Sequence, residues 1–508
     1  MDVARVFSAQ PSLMSADIVT LETDLSRGLF SFSIVGLPGK AVEEARDRVN
    51  SAIKNTGLKS PKSENHKVVI SLAPADLKKE GPLFDLPMAI SYLIASGEIR
   101  ADVRTIIFIG ELGLDGTLRP VRGVLPIVRK AKEAGFTEVI VPLENSEESA
   151  LIPNIRITPA RSLKEVVAHI DIKREDHVRL SEAPLTQIET LWNDVSVRLD
   201  DIRGQESAKR GLMIAASGRH NVIMVGPPGT GKTMLARAFQ GILPPLSIEE
   251  ALEVTSIHSV AGTGEGITLR PPFRSPHHTA SYVALVGGGA HPKPGEVTLA
   301  HKGVLFLDEF PEFERRALDA LRQPLEDRVV SISRVHSSAL FPADFILVAA
   351  MNPTRGGDER GDYAHQMIET YKHKISGPIL DRIDLWLQVP HVDYDTLTEK
   401  RDTTSKTSHT ETDHARAKVL MARQRQKERF AGLGISSNGE MSARDIEERI
   451  KMTSPVRELL KKSAEKLNLS PRSYHRLIKV SRTIADLEDS DELKESHVLE
   501  ALHFRAKY

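Results

Sequence analysis

The stretch GPPGTGKT, Gly226 to Thr233, follows the apolar run NVIMV and precedes MLARAFQGI, so a strand feeds a glycine-rich loop that opens a helix. A loop of this order commits the chain to an α/β fold and to nucleotide binding. Gly226, Pro227, Pro228, Gly229, Thr230 and Gly231 supply backbone that wraps a triphosphate. Lys232 neutralises the β/γ oxygens, Thr233 offers a hydroxyl to Mg²⁺, and Met234 continues the helix whose N-terminus adds partial positive charge. ATP with Mg²⁺ is the expected ligand.

Carboxylates and arginines downstream of the loop decide between binding and hydrolysis. In GVLFLDEF, four apolar residues, Val304 to Leu307, precede Asp308 and Glu309, so a buried strand ends in two carboxylates. An acidic pair at a strand end is common, but behind a P-loop Asp308 suits the Mg²⁺ shell and Glu309 suits polarising the attacking water, in a reaction that needs positioning and charge above all. A second apolar run, FILVAAMNP, ends in Asn352, where an adjacent strand brings it beside the γ-phosphate. Arg382 lies between acids in GPILDRIDLWLQVP, and Arg472 and Arg476 lie on the helical stretch PRSYHRLIKVSRTIADL. The planar, permanently charged guanidinium reads phosphate oxygens bidentately, although single arginines are usually surface ion-pair partners.

The segments LRPPFRSPHHTASYVALVGGG, HPKPGEVTLAHKGVLFLDEF, LRQPLEDR and SGPILDRIDL resemble the ComM/YifB family, within the magnesium-chelatase-like branch of the AAA+ ATPases, over nearly the whole chain. The resemblance implies that Asn352 is sensor 1, that Arg382 is an arginine finger supplied to a neighbouring subunit, and that Arg472 is the sensor 2 arginine, with Arg476 as the alternative. It also implies a homo-oligomeric ring, usually a hexamer, with ATP at each subunit boundary. Family members often carry a cysteine cluster just after the sensor asparagine. This chain has no cysteine and reads NPTRGGDERGDYAHQMIETYKHKISG there, so no metal site is expected in that segment. His277 and His278, adjacent on an extended loop, are expected to point apart and to shape the inserted hairpin, no third metal ligand being evident.

Four regions separate along the chain. Residues 1–172 mix strands (FSFSIVGL, VVISLAP) with a helix, KAVEEARDRVNSAIKNTG, ended by Gly57. Residues 173–196 read as a linker, 197–394 as the ATPase core, and 395–508 as a helical C-terminal lid that opens on the polar tract RDTTSKTSHTETDHA, expected to be a loop. Ser442, Ser454 and Ser470 stand where helix N-caps are expected. At 508 residues and 40% hydrophobic the chain has material for several cores. No apolar run approaches the roughly 20 residues of a membrane span, and the N-terminus lacks a signal-peptide layout. Together with the absence of cysteine, this leads to the expectation of a cytoplasmic protein that engages no membrane.

The first region has a resemblance of its own, to the proteolytic domain of Lon proteases, carried by PADLKKEGPLFDLPMAISYLIA and FIGELGLDGTLRPVRGVLPIVRKAKEAGFTEVIVPLEN. Where Lon places its nucleophilic serine, behind a Gly-Pro pair, this chain has Leu83. Where the partner lysine follows a glycine, Gly123 is followed by Val124, Leu125 and Pro126. Nucleophilic catalysis needs both groups, so the domain is expected to be a catalytically inactive α/β scaffold.

Two inserts bear on what a ring would move. The segment from Ser256 to Ala300, rich in glycine and proline, is expected to build a hairpin outside the core. RVVSISRVHSSALFPADF is expected to form a second, with Arg334 and His336 near its tip. Hairpins so placed resemble those lining the channel of MCM-type helicases, and there Arg334 and His336 would meet DNA phosphate without reading sequence, as against serving as ordinary turn residues. Net charge is neutral on this question, with 68 basic against 69 acidic residues. The most basic helix runs from Arg416 to Arg429 and reads either as a DNA-facing surface or as a solvated face. The leading expectation is an ATP-driven DNA motor of the ComM type, which the resemblance links to branch migration in recombination and natural transformation, on branched or single-stranded DNA. A chelatase-like motor remodelling a protein partner and an ATP-dependent assembly scaffold are the alternatives. The replaced dyad makes a direct prediction: purified protein with ATP should leave unfolded protein substrates uncleaved, and ATP-dependent cleavage that survives removal of contaminating proteases would contradict it.

Overall fold

The structure, a computed structural model, describes residues 4–12, 15–186, 196–263, 269–288, 293–334, 337–352, 375–393 and 410–505. It divides into two units, residues 1–189 with 255–267, and residues 190–254 with 268–508.

The first unit is built on a seven-stranded sheet of β1 (Ala4–Ser12), β2 (Ser15–Arg27), β3 (Ser31–Val35), β4 (His66–Ala73), β5 (Ile106–Phe108), β6 (Glu138–Pro142) and β7 (Arg156–Ala160), in the order β3-β4-β2-β1-β5-β6-β7. β1 and β2 pair antiparallel from Ala4↔Thr23 to Ser12↔Ser15, and Val19, Leu21 and Thr23 turn alternate positions of β2 into the core. The helix expected from KAVEEARDRVNSAIKNTG is broken at Glu44 into Lys40–Glu43 and Ala45–Asn55, and Gly57 follows at φ 83°. Helices α1 (Asp85–Ala95) and α2 (Val124–Glu133) pack on β1 and β2. Arg48 clamps the buried Asp85 with two hydrogen bonds of 2.7 and 3.0 Å, yet burial pushes that carboxyl up to about 6. Leu83, Val124 and Leu125, where a serine–lysine dyad would be expected from the resemblance, are buried apolar side chains.

The second unit holds a five-stranded sheet and a hairpin. Its strands are β8 (Val222–Val225), β9 (Phe273–Arg274), β10 (Val304–Leu307), β11 (Val329–Arg334), β12 (Ser337–Pro342), β13 (Ile346–Met351) and β14 (Leu385–Gln388). β11 and β12 form the hairpin, and the others form a sheet in the order β9-β10-β13-β8-β14 with every pair parallel. β8, β10 and β13 are buried at every position, which explains their unbroken apolar runs: a parallel sheet is covered on both faces. The covering helices include α3 (Glu206–Gly218) and α4 (Lys232–Ile242), then α5 (Glu411–Arg429), α6 (Ser454–Lys466), α7 (Pro471–Leu487) and α8 (Glu495–His503). Met224, Phe306 and Val348 share one apolar cluster with Phe239, Val419, Ile484 and Phe504, so residues 410–505 complete the same core as the sheet.

Local chemistry departs from expectation at three places. Ser442 and Ser470 cap their helices, accepting from the N–H groups of Asp445 and Ser473 at 3.2 Å, but Ser454 is already the first residue of α6 and Thr453 precedes it with extended backbone. Pro455 accounts for this, because a residue without an N–H suits the first helical turn. Glu411 to Ala415, expected in a loop, are helical, since Thr410 caps α5 by accepting from the Asp413 N–H at 3.3 Å, while residues 401–409 of that tract lie outside the described residues. The arginines of α5 are not a solvated or DNA-facing surface. Arg416 Nε donates to Gly241 O at 2.8 Å, Arg423 Nη2 to Ala216 O at 2.9 Å, and Arg429 Nη1 to Asp486 at 2.8 Å, while Arg425 pairs with Asp489 and Asp491. Their positive charge fixes α5 to the core.

Asp384, immediately before β14, is the acid on which α7 is seated. Arg476 lies 3.4 Å away, His220 Nδ1 3.3 Å, and the Asn221 N–H donates at 3.2 Å. Burial would push this carboxyl up, but Arg476 and the His220 hydrogen bond override it and hold it at about 2. A depressed folded pKa contributes stability above the unfolded value near 4, and that contribution is lost as pH falls from about 4 through about 2. Asp384→Asn should therefore lower stability at pH 7 by about 2 kcal/mol and flatten the acid limb below pH 4, read by thermal unfolding across pH. An unchanged acid limb would contradict the assignment.

Candidate functional site

The site grows from the C-terminal ends of the parallel strands. Val225 ends β8 and the chain turns at Gly226, where an added Cβ would lie 2.0 Å from the Val389 carbonyl; only glycine fits. Gly231, at φ 87°, opens α4 from the left-handed region. Between them Thr230 Oγ1 donates to Pro227 O at 2.9 Å, and Lys232 Nζ donates to the carbonyls of Gly226 and Pro227, both at 2.7 Å. Lys232 is only 7% exposed, and burial pulls its ammonium below the ordinary lysine value while the Asp308 charge opposes the change.

β10 delivers the acids. Thr233 Oγ1 donates to Asp308 Oδ2 at 2.9 Å, and Asp308 Oδ1 accepts from the Glu309 N–H at 2.9 Å. Glu309 has φ 50°, a left-handed turn at a residue other than glycine that carries its side chain out of the strand direction. β13 ends at Met351, paired with Val225, so Asn352 emerges beside Gly226. Pro228, Gly229, Gly231, Lys232, Thr233 and Met234 line an open cleft of about 630 Å³ together with Asp308, Glu309 and Asn352. A threonine hydroxyl and a carboxylate within hydrogen-bond distance are a hard-oxygen pair that suits Mg²⁺, which takes few protein ligands and fills its octahedron with phosphate oxygens and water.

His277 and His278 complete the cleft, and here the structure corrects the sequence reading. Their rings do not point apart; the centroids are 4.2 Å from one another. His277 Nδ1 lies 2.9 Å from Thr279 Oγ1, and His278 Nδ1 lies 3.0 Å from Glu309 Oε2. His278 thus holds the carboxylate expected to face the attacking water. The parallel pairing of β9 with β10 brings the loop after Arg274 over the loop after Leu307, a relation that no local spacing reveals. Among the described residues no cluster of three or more histidine and acid side chains is arranged for a metal ion.

Arg382 and Arg472 stand elsewhere and do not line this cleft among the described residues. Leu385 is paired with Val222, so Arg382 precedes the start of β14 while the loop begins beyond the end of β8. The four paired residues alone separate the two levels by about 13 Å. Both arginines bind Glu326: Arg382 Nη2 on one oxygen, Arg472 Nη2 on the other at 2.8 Å. Arg476 is engaged with Asp384 instead. Arg334 ends β11, paired with Ser337 across the hairpin, and His336 lies outside the described residues. The glycine- and proline-rich insert is a hairpin outside the core only in part: Gly287–Gly288 pair antiparallel with Lys293–Pro294 as a short ribbon, whereas the segment's start belongs to the helix Ile248–Ala261 and Phe273–Arg274 join the main sheet.

Three family models match the chain. Residues 198–397 match magnesium chelatase, subunit ChlI; residues 21–145 match subunit ChlI of Mg-chelatase; and residues 409–505 match magnesium chelatase, subunit ChlI C-terminal. Competence protein ComM of Haemophilus influenzae is 42% identical over 512 residues, covering 100% of this chain and 98% of that protein. The uncharacterized protein YifB of Escherichia coli is 42% identical over 500 residues, 97% of this chain and 95% of that protein. A magnesium-chelatase 67 kDa subunit of Chlorobaculum parvum is 30% identical over 164 residues, 32% of this chain and 24% of that protein. The chain belongs to the ComM/YifB family of magnesium-chelatase-like AAA+ ATPases.

Lys232 is expected to act in binding and Glu309 in turnover. Lys232→Ala should abolish tight nucleotide binding, whereas Glu309→Gln and His278→Ala should bind a fluorescent ATP analogue normally and lose turnover, the first by about 100-fold and the second less. Normal turnover in Glu309→Gln, or lost binding in His278→Ala, would contradict these roles.

Proposed function

We propose that this chain is an ATP-hydrolysing, ring-forming motor that acts on DNA, a ComM-type branch-migration helicase serving recombination and natural transformation. One observation carries the catalytic part. Lys232, Thr233, Asp308, Glu309 and Asn352 converge on one cleft, while Arg382 lies toward the opposite strand ends and shares Glu326 with Arg472. Among the described residues no arginine lines this cleft, while two arginines lie away from it, and this supports completion by a neighbouring subunit, as in a hexamer with ATP at each boundary. Its 42% likeness to a protein named for competence, over the full length, supports the cargo and the pathway.

In this reading Lys232 binds the β/γ-phosphate oxygens, and Thr233 and Asp308 would hold Mg²⁺, which screens phosphate charge when bound. Glu309 accepts a proton from water as the water oxygen bonds to the γ-phosphorus and the bond to the ADP oxygen breaks. His278 orients that carboxylate, and Asn352 steadies the attacked phosphate. Arg382 from the adjacent subunit neutralises charge that develops in the transition state.

The DNA contact is proposed at the hairpin of β11 and β12, with Arg334 and His336 meeting phosphate. ATPase rates measured with branched, single-stranded and duplex DNA test this. Wild type should be stimulated, most by branched or single-stranded DNA, and Arg334→Ala should lose most of that stimulation at every sequence while keeping its basal rate, the loss shrinking at high salt. No stimulation of the wild type by any DNA would overturn the cargo and favour remodelling of a protein partner.

A further inference from the structure

Glu326 sits near the end of the short helix Arg322–Asp327, just before the hairpin. Its two carboxylate oxygens are taken by guanidiniums from distant parts of the chain, Arg382 before β14 and Arg472 in the first turn of α7. Burial opposes ionisation of Glu326, but the two arginines hold it below the ordinary carboxylate range. Arg382 is almost covered: its side chain is 7% exposed, Nη1 donates to Pro378 O, and its buried Nε has no hydrogen-bond partner among the described residues. Glu326 and Arg472 remain open, at 50% and 40%.

Two guanidiniums converging on two oxygens of one anion is also how arginines read a phosphate. Arg382 cannot reach the loop of its own subunit, as the register of β8 and β14 requires, and Arg472 is held with it on the same carboxylate. We propose that Glu326 is an internal clip. It gathers Arg382 and Arg472 into one fork in the free subunit, and the γ-phosphate of ATP held by a neighbouring subunit displaces it when the boundary closes. The inference rests on the reading that Arg382 acts across a boundary and extends it in two ways: both arginines engage the same neighbouring nucleotide, and a carboxylate of their own subunit competes for them. A boundary holding no γ-phosphate then offers the fork nothing better than Glu326, so assembly follows the nucleotide state. The exchange is easiest at Arg472, whose pair with Glu326 is half-exposed and therefore weak.

Sedimentation velocity at saturating ATP, in a Glu309→Gln background so that nucleotide persists, tests the clip. With Glu326→Gln added, the subunit concentration for half-assembly should fall about threefold or more, because the isosteric amide keeps the shape but releases the charges. Glu326→Ala should shift it the same way, which guards against a fault peculiar to the amide. A half-assembly concentration that is unchanged or raised, in variants whose thermal unfolding without nucleotide matches the parent, would overturn the clip. Failure of the parent protein itself to assemble with ATP would overturn the boundary reading along with it.

Discussion

Strand β8 is the reference for the whole second unit. It is buried at all four positions and paired in parallel on both sides, with β13 at Val222↔Val348 and β14 at Val222↔Leu385. A parallel strand has two unlike ends, and the pairing passes that polarity to its neighbours. The C-terminal ends carry Gly226, Asp308 and Asn352 into one cleft. The N-terminal ends carry Asp344 and Asp384, with Arg382 just upstream. The separation of this cleft from Arg382 is therefore a property of the sheet, and no rotamer change removes it.

The N-terminal edge is held by buried charge. Asp344, between the hairpin and β13, meets Arg219 at 2.9 Å and Lys302 at 2.9 Å, with Arg328 nearby; burial opposes its ionisation, but these cations hold it far below the usual carboxylate range. Arg328 also reaches Glu440 at 3.0 Å, and the Ala343 N–H donates to Arg328 O at 2.7 Å. The hairpin that carries Arg334 is thus tied at its base to the strand that ends in Asn352. Breaking one member of such a network leaves uncompensated buried charge, which makes the joint stiff. Asn352 and the hairpin are thus joined through one strand, β13, and one carboxylate, Asp344.

Much of the core is legible from sequence because its signals are local. A P-loop needs its glycines, lysine and threonine within one turn, and the apolar runs of β10 and β13 announce buried parallel strands ending in Asp308 and Asn352. Residues whose partners are distant in sequence are not legible in this way. His278 meets Glu309 only through the pairing of β9 with β10. Glu326 meets Arg382 and Arg472 across 56 and 146 residues. Arg416, Arg423 and Arg429 form a basic helix by composition, and only their acceptors, Gly241 O, Ala216 O and Asp486, show that the charge faces inward. Ser454 departs from expectation for a smaller reason: a following proline moves a helix start by one residue.

The central claim is that one subunit supplies the loop and acids while its neighbour supplies Arg382. Mixing separates the two contributions. Arg382→Ala subunits retain an intact loop, Lys232→Ala subunits retain an intact arginine, and each protein alone should be nearly inactive. Titrating one into the other at constant total concentration should restore ATP hydrolysis, with a maximum at intermediate ratios, because some boundaries then combine the intact loop of one with the intact arginine of the other. No recovery at any ratio, in assemblies shown to contain both variants, would contradict the account.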